Sequence, residues 1–383
     1  MRGTTQIAVD AMGGDYAPRA TVEGALLATV EGIDVVLVGD RTQIERHLER
    51  FGTAGDAVVQ SDEPDAAARD DEPSAAEESK ESSHDPVGPA PTRRGTLSIV
   101  HASQVVAMEE PPLAVRKKTD SSIRVCARLV REGAARALIT AGNTGAAMIA
   151  AKTVIGTVPG VDRPALAGVF PNATGQTVVL DVGANVSARA AHLREFAVMG
   201  HFYAQEILGH PAPRVGLLSV GEEEGKGTEL VRQVYRVLKG TGLNFVGNVE
   251  GSDVFRGTVD VIVCDGFVGN VMLKASESLA AFLGGVVRHE LETSWRGRFA
   301  YSLARPAFDA LRRRTDWTEI GAAPLLGVQA GCFIGHGRSS ARAIKNAIKN
   351  AYEFSQAQLD ERIRVKVAEL HAQEAKFFST EST

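Results

Sequence analysis

Short runs rich in Val, Ile and Leu recur along the chain, at residues 6–9, 34–38, 97–100, 137–140, 166–170, 177–181, 215–220, 244–246 and 259–264. Stretches with helical spacing lie between many of them, at 19–31, 122–132, 191–208 and 228–239. A continuous apolar strand has both faces buried, and parallel neighbours need crossover connections. The alternation therefore predicts an α/β fold, with a mainly parallel sheet covered by helices on both faces. At 383 residues and 44 % hydrophobic content the chain can bury such a core.

Charge is unevenly placed. Residues 61–92 hold ten acidic and two basic side chains, a net −8, so the rest carries +3 against a total of −5. That segment has five prolines and no Ile, Leu or aromatic residue. It cannot bury enough apolar surface to offset the entropy of ordering, and it reads as a disordered acidic insert. The mildly basic remainder is too weakly charged for nucleic acid but suits an anionic substrate or an acidic partner protein.

No run reaches the ~20 apolar residues that a membrane span requires. Asp10 interrupts the first apolar run, so no secretory leader is expected. Cys126, Cys264 and Cys332 are odd in number, far apart and outside any CxxC pair. They read as small buried hydrophobes in a reducing cytoplasm.

The last third changes character. Ala275, Leu279, Phe282, Leu283, Val286 and Val287 fall at helical spacing. A second stretch holds Phe299, Tyr301, Leu303, Phe308 and Leu311, then Arg312, Arg313 and Arg314. These predict a projecting helical pair over about 275–318, whose apolar side could meet a second subunit or, with its arginines, a membrane surface. Residues 339–354 and the tail from 358 also read as helix. The expected layout is one α/β domain over 1–355, with a C-terminal helix and tail at 356–383.

Loops beyond strand ends carry the chemistry in open parallel sheets. Here they read Asp10-Ala-Met-Gly-Gly-Asp15, Ala141-Gly-Asn-Thr-Gly145, Asp181-Val-Gly-Ala-Asn185, Gly221-Glu-Glu-Glu-Gly-Lys-Gly227 and Asp265-Gly-Phe-Val-Gly-Asn270. Five such loops on one edge would make a wall of backbone N–H groups and small polar side chains. The Gly221 loop is not a nucleotide P-loop: Gly221 and Gly225 are one residue too close, and Gly227 occupies the hydroxyl position. A glycine loop, Lys226 and a helix start still favour an anion. No dinucleotide fingerprint, zinc motif or serine-hydrolase elbow is present, and no cofactor is expected. His336, flanked by Gly335 and Gly337, is either a packed strand-end residue or a member of the site.

At these loops the sequence resembles the phosphate acyltransferase family of bacterial phospholipid synthesis, from about residue 6 to about 355. The likeness also includes Pro112-Leu-Ala-Val-Arg-Lys-Lys118, Asp162-Arg-Pro-Ala165, Pro213-Arg-Val-Gly-Leu-Leu218 and Gly247-Asn-Val-Glu250. It departs in two places. The acidic stretch looks like an insertion, and Ala322 stands where the family tends to carry a second glycine. The resemblance implies a three-layer α/β/α fold related to phosphotransacetylases and isocitrate-type dehydrogenases. It also implies a cytoplasmic homodimer with peripheral membrane association. Its acyl phosphate product would pass to a glycerol-3-phosphate acyltransferase.

The chemistry implied is attack of inorganic phosphate on a thioester of acyl carrier protein. Phosphate supplies its own nucleophile, and a pantetheine thiol of pKa about 8.5 leaves without strong acid help. The enzyme must seat phosphate, align it and stabilise the oxyanion. Asn143, Lys226, Asn185, Asn270 and His336 are the candidate catalytic residues. Gly13, Gly14, Asp15, Thr144, Gly225, Gly227, Asp265 and Gly266 are the candidate substrate-binding residues. Asp10, Asp15, Asp181 and Asp265 would repel phosphate unless protonated or paired, and are expected to act by orienting loops or cations through hydrogen bonds. Carrier proteins are acidic, so Arg116, Lys117 and Lys118, then Arg312–Arg314, are candidate docking cations. A CoA-dependent phosphotransacetylase, a metal- and NAD-dependent dehydrogenase and a non-enzymatic lipid- or protein-binding scaffold are the rival readings.

Overall fold

The structure, a computed structural model, describes residues 6–51, 59–60, 93–315, 321–357 and 359–381. The expected acidic insert at 61–92 lies outside the described residues. The chain opens with β1 (Ile7–Asp10), α1 (Arg19–Val30), β2 (Val35–Gly39), α2 (Arg41–Arg50), β3 (Val59–Gln60) and β4 (Leu97–His101). Next come α3 (Ala114–Lys117), α4 (Ser122–Arg131), β5 (Ala137–Thr140) and α5 (Thr144–Ala150), which runs on as a π-helical turn over Ala151–Ile155. The middle holds β6 (Ala165–Pro171), β7 (Gln176–Leu180), α6 (Ala190–Glu206), β8 (Val215–Leu218), α7 (Glu229–Lys239), β9 (Phe245–Val249), α8 (Asp253–Arg256) and β10 (Val261–Val263). Two long helices follow, α9 (Gly266–Glu292) and α10 (Trp295–Thr315), then β11 (Ala322–Leu326), β12 (Gly331–Gly335), α11 (Ala341–Gln356) and α12 (Leu359–Glu381).

The strands form one sheet in the order β3-β4-β2-β1-β5-β12-β11-β6-β7-β10-β8-β9. Alternate residues of each strand point to opposite faces, so both must be covered. Ile7 and Val9 pack with α1 and α11 on one face, while Ala8 and Leu138 pack with α4 and α5 on the other. In the second half Val178, Leu180, Val261 and Val263 pack against α6 and α12. These are the three layers of an α/β/α fold. The helices start where the sequence provides caps: Asp40, Thr228 and Ser340 each accept a backbone N–H from three residues on.

Among the described strands, β12–β11, β11–β6 and β6–β7 pair antiparallel and the rest pair parallel. Three reversals thus separate β5 from β7. The five glycine loops consequently do not share one edge, contrary to the expectation from sequence. Those at 10–15 and 141–145 leave the edge where β1, β5 and β12 end. Those at 181–185, 221–227 and 265–270 leave the opposite edge, where β7, β8 and β10 end. The reversals run through β11, whose Pro324 has no N–H to offer a ladder and which the apolar-run pattern did not reveal.

The Ala322 departure is accommodated. Ala322 opens β11 opposite Gly335 and is buried in the core. The close approach belongs to its neighbour: a Cβ on Gly321, at φ +76°, would lie 2.5 Å from Ala343 O and Ala347 N. Glycine is required there and is present.

Beyond its first turn α9 has no buried residue, and α10 leaves Trp295, Phe299 and Leu303 exposed. The C-terminal helix docks on the body. Leu359, Ile363, Val367 and Leu370, at spacings of three and four, are buried in the α6 cluster.

Candidate active site

The two loop sets are built alike, each around a buried aspartate. On the first edge Asp10 accepts from Thr140 Oγ1 at 2.7 Å and from Met12 N at 3.2 Å. Thr140 Oγ1 in turn accepts from Gly142 N at 3.0 Å. Burial pushes the Asp10 carboxyl above the usual range, opposed by these hydrogen bonds. A Cβ on Gly13 would lie 2.7 Å from Gly142 N, so only glycine lets the loops meet. Gly14 takes φ +102°, and Asp15 N donates to Gly337 O at 2.7 Å, tying in the loop that follows β12. The Asp15 and His336 side chains are exposed at this rim.

Asn143 caps α5: its Oδ1 accepts from Ala146 N at 3.0 Å. Its Nδ2 donates to Glu110 O at 2.9 Å and Met108 O at 3.2 Å. Lys118 Nζ reaches the same segment, at 2.7 Å from both Val105 O and Glu110 Oε2. Both side chains are therefore engaged in holding the 105–110 loop beside the rim. Thr144 is exposed at the first position of α5.

On the second edge Asp181 is fully buried and accepts five hydrogen bonds. They come from Leu166 N, Gly183 N, Ala184 N, Asn185 N and Asn185 Nδ2, at 2.6–3.1 Å. Asn185 Nδ2 also donates to Pro164 O at 2.8 Å. Gly266 N donates to Asn185 O at 2.9 Å, and a Cβ on Gly266 would lie 2.8 Å from Asn185 N, Asn185 O and Asp181 Oδ2. Asp265 caps α9 through Phe267 N and Val268 N. Asn270 is exposed, its Oδ1 3.5 Å from where a Gly183 Cβ would sit. The Gly221–Gly227 loop joins through Asn248 Nδ2, which donates to Glu223 O at 2.8 Å. Gly227 has φ +90° and packs on Ser219 and Val231, whereas Gly225 and Lys226 are exposed.

A groove of about 450 Å³ links the two sets. It follows α5 and its π-helical turn, from Pro112, Arg116 and Gly145, along Met148 and Ile149, to Lys152 and Thr153. Arg163, Pro164, Ala184 and Asn185 complete the lining. Lys152 Nζ donates to Asp162 O at 2.9 Å and Arg163 Nη1 to Ser187 O at 3.0 Å, fixing both stems. One wall is apolar, and three cations stand around it. That combination accepts an apolar chain and an anion together.

Of the sequence candidates, the groove collects Asn185 and Arg116 directly, and Asn143 through its neighbour Gly145. The Gly13–Gly14 and Gly225–Gly227 turns lie at the rims of their own edges, outside its lining. Lys117 is exposed beside Arg116, whereas Lys118 is half-buried and paired with Glu110. Arg312, Arg313 and Arg314 fall within α10, and their side chains lie outside the described residues. Lys152 and Arg163 were missed. Arg163 was legible as part of Asp162-Arg-Pro-Ala165, but Lys152 carries no sequence signal beyond its place nine residues after Asn143. Among the described residues no His/Cys/Asp/Glu group could hold a metal ion.

Comparison with known proteins adds three findings. The profile of the fatty acid synthesis protein family matches residues 5–87 and 80–362, and the two matches meet inside the acidic stretch. The phosphate acyltransferase of Pelotomaculum thermopropionicum is 45 % identical over 372 residues, 97 % of each chain. That of Aquifex aeolicus is 45 % identical over 350 residues, 91 % of this chain and 93 % of the relative. The fold is similar to a phosphotransacetylase from Streptococcus pyogenes (TM-score 0.56, 15 % identity, 92 % and 93 % covered). It is also similar to the EutD phosphotransacetylase from Staphylococcus aureus (TM-score 0.54, 12 % identity, 91 % and 94 % covered).

Proposed function

The chain belongs to the phosphate acyltransferase family, and from that premise we propose that it moves a fatty acyl group from acyl carrier protein to inorganic phosphate. The observation that carries this reading is the groove along α5, with its apolar wall and three cations.

Met148, Ile149, Pro112 and Pro164 would receive the thioester and the start of the acyl chain. Arg116, Lys152 and Arg163 would attract phosphate. A phosphate oxygen attacks the thioester carbonyl, a C–O bond forms and the C–S bond breaks. The thiolate leaves and takes a proton from solvent, because its pKa of about 8.5 makes it a fair leaving group. Preorganised cations and amides lower the barrier by matching the charge that develops on the carbonyl oxygen. Asn143 and Asn185 act as positioning residues here, since their amides hold the groove walls. Lys226, Asn270 and His336, with the Gly13–Gly14 and Gly225–Gly227 turns, would serve arrival and alignment at the rims.

Exposed Arg116 and Lys117 lie beside the groove mouth, where an acidic carrier protein would bring its arm. The exposed apolar faces of α9 and α10 suit contact with a second copy and with a membrane surface from which product is handed on. Among the described residues no helix is long and apolar enough to cross a membrane.

The test is direct. Palmitoyl-carrier protein and phosphate are incubated with the protein, and acyl phosphate is trapped as a hydroxamate with hydroxylamine. Phosphate-dependent hydroxamate is expected, with acetyl-CoA a poor donor. No phosphate-dependent product from either donor would sink the reading. Preference for acetyl-CoA would replace the carrier protein with CoA.

A further inference from the structure

Beside the groove, the Asp162–Arg163 turn meets the start of α6 at a buried carboxylate, that of Glu195. Glu195 of α6 is 3 % exposed, yet its side chain faces the turn that supplies Arg163 and Pro164. Glu195 Oε2 accepts from Asp162 N at 3.1 Å, and the nearby Arg163 backbone N–H also favours its charged form. The Asp162 side chain is held from the same helix: His192, fully buried, meets Asp162 Oδ2 at 2.8 Å, and Arg189 Nη2 donates to that oxygen at 2.9 Å. Lys152 donates to the Asp162 carbonyl from the groove side. His371 of α12 closes the cluster, with Nε2 4.0 Å from Glu195 Oε1. Arg194, next to Glu195 on α6, adds a favourable charge.

We propose that Glu195 is a positioning residue whose ionised carboxylate clamps the Asp162–Arg163 amides and so holds the Arg163 guanidinium at the groove. A carboxylate is a stronger acceptor for two N–H groups than a neutral acid or amide, so the clamp is tight only when Glu195 is charged. Burial opposes that charge and the two amides favour it, which places the Glu195 carboxyl at about 7. The other groups facing it are Asp162 and Arg163 from the turn, Arg194 from α6 and His371 from α12, while Lys152, His192 and Arg189 act on it through Asp162. The clamp therefore loosens as pH falls through neutrality. Phosphate binding weakens with it, apart from the titration of phosphate itself.

This inference rests on the groove being the phosphate seat, and one assay separates the two. Wild type, Glu195→Gln and Glu195→Ala are compared for KM(phosphate) and kcat in hydroxamate formation from palmitoyl-carrier protein, at pH 6, 7 and 8. The ratio of variant to wild type cancels the titration of phosphate. Gln keeps the shape and an acceptor but not the charge. At pH 8 its KM should exceed that of wild type by about threefold, converging at pH 6, with kcat little changed. Ala, with no acceptor, should raise KM at every pH. A ratio for Gln that does not vary with pH would overturn the clamp. A lower KM in Gln at pH 8 would also overturn it, by making the carboxylate a repelling charge. Absence of product in wild type would instead overturn the proposed reaction.

Discussion

Asp181 receives both the backbone and the side-chain amide of Asn185, at 2.6 and 2.9 Å, with no solvent in contact with its carboxylate. One buried acid thus folds the 181–185 loop around itself. The same Asn185 accepts from Gly266 and lines the groove, so the loop joins the strand end, the start of α9 and the site. Asp181→Ala would leave four backbone N–H groups without their acceptor and the Asn185 side-chain amide with Pro164 O alone. A loss of about 3–5 kcal/mol is expected in urea unfolding, because buried donors left unpaired carry the full desolvation penalty. A loss below about 1 kcal/mol would show that the loop does not depend on this acid.

Gly266 and Gly225 form a matched pair. A Cβ at Gly266 would sit 2.8 Å from backbone atoms of Asn185, whereas nothing lies within 4 Å of one at Gly225. Gly266→Ala should therefore lower both stability and acyl phosphate formation, with a stability cost of about 1–3 kcal/mol from overpacking. Gly225→Ala should leave stability within about 0.5 kcal/mol of wild type. Equal behaviour of the two would count against the loop packing described.

The cations in and beside the groove divide by what already holds them. Arg163→Ala should raise KM for phosphate about tenfold with a smaller change in kcat, the pattern of lost ground-state binding. Lys118 is engaged with Glu110 and Val105, so Lys118→Ala should lower the melting temperature and leave salt-dependent carrier-protein binding largely intact. Lys117→Ala should do the reverse. Kinetics at 50 and 300 mM salt, with thermal melts, distinguish the three.

Glu195 also makes a stability prediction, opposite in sign to its effect on binding. Its folded value of about 7 lies above the ordinary glutamate value of 4.5. The folded protein therefore binds more protons than the unfolded chain between those values, and stability falls as pH rises through them. Glu195→Gln does not titrate. Relative to wild type it should become more stable as pH rises from 5 to 8, with the gain flattening above about 7. Urea midpoints at pH 5, 6.5 and 8 check this, and a difference that does not vary with pH would contradict it.

The three cysteines should be silent toward thiol reagents in the native state. All are buried, and burial raises Cys332 to about 12 and raises Cys126 and Cys264 as well. The thiolate is the reactive form, so labelling at pH 8 should require unfolding. Three thiols should then titrate in denaturant. Rapid native labelling would indicate that the core around them opens.

The strands read as apolar runs were legible because burial on both faces leaves little freedom in composition. The pattern at 137–140 and the helix at 122–132 coincide with β5 and α4 to within a residue. β11 was not legible, since Ala322, Ala323 and Pro324 carry little strand propensity and the strand exists because β12 and β6 flank it. The candidate site was legible in part. The buried aspartates and tight glycines stood out, yet Asn143 gave no sign that its amide would be engaged by the 105–110 loop.

Local sequence determined the elements, the turns that demand glycine and the caps, because each depends on a few neighbouring residues. It also determined the family, through loop motifs too specific to arise from turn chemistry. Only the tertiary structure decided which loops share an edge, since strand direction follows from pairing partners far apart in the chain. It alone brought Lys152 and Arg163 to one groove and placed Glu195 behind them, because contacts across layers leave no periodic trace in a single sequence.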